Sequence, residues 1–95
     1  MNRILITALT ITGPVIDIGA DAAKKLPPGR RYRYSQAGHI TLEDGRTFES
    51  NQRGLTRPKL AARIASYEDN IRRKMIKAEF DEHGTYFGTS TTYGL

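Results

Sequence analysis

The chain has 95 residues, 38% hydrophobic and 26% charged, which supports one modest core and argues against a disordered polymer. It contains no cysteine, which excludes disulfides, thiolate metal sites and cysteine nucleophiles. A net charge of +5 favours an anionic partner, nucleic acid or a nucleoprotein complex ahead of a membrane surface.

Residues 3–12 are rich in Ile, Leu and Thr and predict a β-strand rather than the core of a signal peptide. Gly13-Pro14 reads as a break, and residues 15–18 as a second strand that forms a hairpin with the first. Residues 20–26 predict a short helix stopped by Pro27-Pro28-Gly29. Residues 30–34 alternate, placing Arg31 and Arg33 on one face of a strand and Tyr32 and Tyr34 on the other. Residues 35–38 read as a turn. Residues 39–42 and 46–49 flank Glu43-Asp44-Gly45, an Asp-Gly hairpin signal. Residues 50–54 read as a polar loop.

Thr56 predicts an N-cap, with Pro58 in the first helical turn. Leu60, Ile64, Tyr67, Ile71, Met75 and Ala78 then recur at helical spacing, predicting one amphipathic helix over residues 58–79 that ends before Gly84. Arg53, Arg57, Lys59, Arg63, Arg72, Arg73, Lys74 and Lys77 surround that stripe and make up over half of the 15 basic residues. Residues 85–93 read either as a last strand pairing across residues 81–84 or as a loose tail. The expected fold is a single domain over residues 1–95 of α+β class: a small, mostly antiparallel sheet of hairpins packed by one dominant C-terminal amphipathic helix. An open strand edge at residues 3–12 would allow a homodimer.

Leu60, Ala61, Ile64, Ala65 and Ile71 also fall in the register of helix-turn-helix DNA-binding proteins, which the segment from Leu60 to Met75 resembles. The resemblance implies a turn near Ala65 and Ser66. It implies a recognition helix presenting Tyr67, Glu68, Asp69, Asn70, Arg72 and Arg73 to DNA, and a wing over residues 80–90. Those proteins usually have Gly at the position of Ala65 and an aliphatic residue at that of Ser66. The unbroken apolar stripe predicts a continuous helix instead. A sheet followed by a helix is also similar in outline to the arm-binding domains of phage integrases, with Arg31, Arg33 and Arg46 on the sheet.

Arg30, Arg31, Arg33, Tyr32, Tyr34 and His39 are the one cluster that resembles the phosphate-handling groups of small ribonuclease toxins. Ordinary strand alternation accounts for them equally well, and no enzyme activity is expected. Glu79, Asp81, Glu82 and His83 lack the spacing of a metal loop, and no metal or cofactor is expected. No segment approaches the run of about 20 apolar residues that spans a bilayer, so no membrane span is expected, and the lack of cysteine fits an expected cytoplasmic location. The function expected is nucleic-acid binding by a regulator or accessory factor. Phosphate contacts would come from Arg53, Arg57, Lys59, Arg63, Arg72, Arg73 and Lys77, and base contacts from Asn70 and Arg73 or from Arg31 and Arg33, with Lys74 also in the nucleic-acid-binding set. The alternative is an inhibitor protein of a phage or mobile element, of anti-CRISPR or host-takeover type, that binds a host protein or nucleoprotein complex.

Overall fold

A single strand, β1 (Asn2–Asp17), carries the architecture. The computed structural model describes residues 2–91, and strands β2 (Tyr34–Leu42), β3 (Thr47–Glu49), β4 (Gln52–Gly54), β5 (Ile76–Phe80) and β6 (Tyr86–Thr91) complete one antiparallel sheet with β1. The strand order is β3-β2-β1-β5-β6, with β4 pairing the end of β2 that β3 leaves free. The class is α+β, as the sequence predicts. The hairpin between residues 3–12 and 15–18 does not form. Gly13-Pro14 sits in an irregular stretch where the register with β2 shifts between Ile11 and Val15. Pro is tolerated there because the stretch makes no ladder bond through the proline nitrogen, and Gln36 Nε2 donates to the Gly13 carbonyl at 3.0 Å.

β5 pairs with Asn2 to Leu5, while β2 pairs with Ile6 to Asp17. The edge expected over residues 3–12 is therefore covered by β5 up to Leu5 and open on that side only beyond it. Ser35 to Gly38, read as a turn, continue β2, and the polar loop at 50–54 contains β4. Arg31 and Arg33 precede β2, and Arg46 lies in the β2–β3 turn, so none of the three is on a strand. The Asp-Gly hairpin forms as predicted, with Ile40 opposite Phe48.

α1 (Ala20–Lys24) is short and stops before Pro27. α2 (Arg57–Arg72) begins as expected: Thr56 Oγ1 accepts the Lys59 N–H at 3.2 Å, with Pro58 in the first turn. It runs unbroken through residues 65–67, so no turn divides the segment from Leu60 to Ile71. Its far end is a correction. The N–H groups of Lys74 and Met75 donate to the carbonyls of Ile71 and Asn70 at 3.0 and 2.9 Å, the paired bonds of a Schellman motif. Lys74 takes the left-handed conformation (φ 57) that glycine usually supplies there. Met75 and Ala78 thus leave the helix, and two strands follow it; α2 is not C-terminal. The last predicted strand is β6, joined to β5 through a turn in which Asp81 Oδ1 accepts the His83 and Thr85 N–H groups. Thr92 and Tyr93 lie outside the described residues.

The core is Ile6, Ile40, Leu42, Ile76, Ala78 and Phe80, with Tyr67 and Ile71 of α2 packed against it. Phe48 stacks on Tyr86 at 4.6 Å between centroids and meets Phe80 edge-on. α2 buries Leu60, whose backbone lies directly over Gly54 of β4. That close approach brings the first turns of α2 against the sheet's β4 corner.

Candidate functional site

The first turns of α2, strand β4 and the loop at 29–32 enclose an open cleft of about 800 Å³. Arg30, Arg31, Arg53, Lys59 and Arg63 line it, with Tyr32 and Leu55 between them. Among the described residues no carboxylate lines the cleft. Each cation is placed by local structure. A turn closed by the Arg30 N–H on the Pro27 carbonyl, with Gly29 at φ 86, delivers Arg30. The Arg31 guanidinium donates to the carbonyls of Lys24 and Leu26 at 3.2 and 3.1 Å, which caps α1 and fixes the loop. Arg53 lies over the Tyr32 ring at 4.9 Å. Lys59 and Arg63 are one turn apart on α2.

Among the described residues, the first turn of α2 carries no acid. Its Arg57 and Lys59 add positive charge at the end of the helix that is already the positive pole of its dipole. The placement is unfavourable for the isolated helix and is relieved when an anion sits nearby.

The other predicted site residues are dispersed. Arg33 forms a two-pronged pair with Asp17 at 2.8 and 3.1 Å, and the Arg33 hydrogen bond holds the Asp17 carboxyl below the usual range. Arg33 and Arg57 both stack on Tyr34, at 5.3 and 5.0 Å. Arg72 and Arg73 share Asp69, at 3.3 and 3.1 Å, at the opposite end of α2 from the cleft. Lys74 sits in the turn after them. Lys77 is on the face of β5 opposite buried Ile76 and Ala78. Asn70 lies in a separate polar depression of about 500 Å³, which Arg63 also lines. The structure therefore gathers Arg31, Arg53, Lys59 and Arg63 and adds Arg30, which had been grouped with a catalytic cluster.

That cluster does not assemble. Arg30, Arg31 and Tyr32 line the cleft, Arg33 and Tyr34 turn to Asp17 and α2, and His39 projects from the opposite face of β2 to buried Ile40. Among the described residues, no three His, Asp or Glu side chains are placed to hold a metal ion. Glu79 pairs with Arg3 at 2.9 Å, and Asp81 is engaged in its turn. No described helix is long and apolar enough to cross a membrane. No protein-family model, curated protein or solved structure matches the chain. The cleft offers cations and a little apolar surface.

Proposed function

We propose that the chain is a nucleic-acid-binding protein, a regulator or accessory factor, that takes a phosphodiester backbone into the basic cleft. One observation carries the reading: Arg30, Arg31, Arg53, Lys59 and Arg63 converge on a single concavity lined by no carboxylate among the described residues. Cations scattered over a surface are simply solvated. Gathered on one cleft, they repel one another and concentrate positive potential until an anion enters. A polyanion with regularly spaced phosphates meets that need. Leu55, 46% exposed, and Tyr32 place apolar surface among the cations, which suits a flat base better than an inorganic anion.

The test is fluorescence anisotropy with labelled oligonucleotides across a salt series. Five phosphate contacts to a single strand predict a log–log slope of about −3.5, so affinity should fall about a hundredfold between about 50 and 200 mM salt. Arg53→Glu combined with Lys59→Glu should remove most of the affinity. Arg72→Glu combined with Arg73→Glu should cost less, because Asp69 already neutralises part of that charge away from the cleft. Binding indifferent to salt, or equal losses in the two double variants, would defeat the reading. So would a stoichiometric protein partner that survives nuclease treatment of a host lysate, the behaviour of an inhibitor protein that occupies an acidic enzyme surface.

A further inference from the structure

We infer that the ligand is single-stranded and that one unpaired adenine is held in the polar depression beside the cleft; the inference rests on the nucleic-acid reading above. Arg63 lines both cavities, so they adjoin. Lys59, Arg63, Ser66, Tyr67 and Asn70 fall at i, i+4, i+7, i+8 and i+11, one face of α2 about 16 Å long. The chemistry changes along that face. At the N-terminal end it is cationic. Beyond Arg63 it offers Ser66 and Asn70, and the depression beside it adds the neutral amides and hydroxyl of Asn51, Gln52 and Thr89. Phosphates call for the first kind of surface, and base edges for the second. Glu49 on the rim of the depression disfavours a phosphate there.

Polar groups also lie beneath the depression. The Tyr67 hydroxyl is buried against the Ser50 and Thr89 hydroxyls, with neither in good hydrogen-bond geometry. Burial pushes its phenol pKa up, so it stays a neutral donor. Gln52, 6% exposed, is tied to Ser50 Oγ at 3.3 Å and fixes the floor. A base can reach such a concave site only if it is unpaired and turned out of its stack, which a duplex does not offer. The carboxamide of Asn70 presents a donor and an acceptor side by side, the complement of the adenine N7 and N6 edge.

The experiment uses the full chain and short labelled homopolymers, oligo-dA, oligo-dC and oligo-dT with their ribose counterparts, alongside a mixed-sequence duplex. The adenine strand should bind at least about fivefold tighter than the pyrimidine strands and the duplex. The ribose arm tells whether the strand is RNA or DNA. Asn70→Ala should bring the adenine strand down to the level of the others and leave those within about twofold. Asn70→Leu, which keeps the bulk, removes donor and acceptor and adds no charge, should do the same and guards against a folding defect, checked by circular dichroism. Equal affinity for all bases, a preference that survives both variants, or a duplex bound as tightly as the strands would overturn the base pocket and leave phosphate binding in the cleft intact. Failure of every oligonucleotide to bind would overturn the nucleic-acid reading itself.

Discussion

Gly54→Ala should loosen the junction on which the basic cleft is built. A Cβ at Gly54 would stand 2.6 Å from Leu60 N, 2.8 Å from Leu60 Cα and 3.1 Å from Leu60 Cβ. None of these atoms is the free end of a flexible side chain. Restoring ordinary contact at about 3.5–4 Å requires α2 to retreat by about 1 Å. Leu60 is 2% exposed and is the main anchor of the helix's first half, so that retreat opens the packing beneath it. Overpacking of this kind costs about 1–3 kcal/mol. For a domain of this size each kcal/mol lowers Tm by about 4–8 °C, so a mid-range cost of about 2 kcal/mol predicts a drop of about 8–16 °C. Thermal unfolding followed by circular dichroism measures it. Gly13→Ala is the control, because its Cβ would meet only Ala37 Cβ at 3.5 Å, an ordinary contact. If Gly54→Ala melted together with the wild type and with Gly13→Ala, the close approach of α2 to β4 would be wrong, and the cleft shape with it.

Tyr67→Phe removes a buried hydroxyl that makes no hydrogen bond, so urea unfolding should show stability unchanged or raised by up to about 1 kcal/mol. A loss above about 2 kcal/mol would mean the hydroxyl is partnered after all. Lys74→Gly exchanges a left-handed lysine for the residue that adopts this conformation freely. Relief of about 1–2 kcal/mol of strain, set against about 0.5–1 kcal/mol of backbone entropy, predicts a neutral to mildly stabilising change by the same assay. Lys74→Val should destabilise the helix end, and the reverse order would contradict the Schellman geometry. Asp17 is an acid whose folded pKa lies below its unfolded one, through the Arg33 hydrogen bond. Its contribution is present above the unfolded value of about 3.9 and is lost as pH falls through the depressed folded value. Carbon-detected NMR titration should find the Asp17 carboxyl still ionised where ordinary aspartates are half protonated, and Asp17→Asn should differ from wild type above pH 4 and converge with it in strong acid.

Three boundaries of this chain were legible because each rests on local chemistry. Asp44-Gly45 makes its hairpin, Thr56 and Pro58 open α2, and Pro27-Pro28-Gly29 ends α1. The end of α2 was not legible, because its stop lacks the glycine that normally marks a Schellman motif. Met75 and Ala78 happen to continue the helical stripe in phase. The opposing signal was present in Ile76-Lys77-Ala78-Glu79-Phe80, a strict alternation that is buried on one side in the sheet. Gly13-Pro14 misled for a different reason: it bends a strand where no ladder bond is needed, and the pairing that decides this lies with Ile11, Val15 and β2. For the candidate site, charge density singled out α2, but its basic residues divide between the cleft at one end and Asp69 at the other. Asp69 sits within one turn of Arg72 and Arg73, which weakens that end as an anion site. The cleft draws Arg30 and Arg31 from a loop distant in sequence, and only the docking of α2 on Gly54 brings them beside Lys59 and Arg63.

The reach of β1 sets an order on folding. Ile6 to Asp17 find their partner in β2, soon after α1, so this part of the sheet can form while the later chain is still being made. Asn2 to Leu5 have no such nearby partner and pair with β5 at Leu5–Lys77 through Asn2–Phe80, among the most distant pairings the chain makes. Closing so long a loop is slow relative to forming a local hairpin. For that interval Ile4 and Leu5 stand on an unpaired strand end, and a second growing chain offering its own β5 would fit the same register. The β5–β6 hairpin is thus the unit whose arrival closes the sheet and ends the exposure.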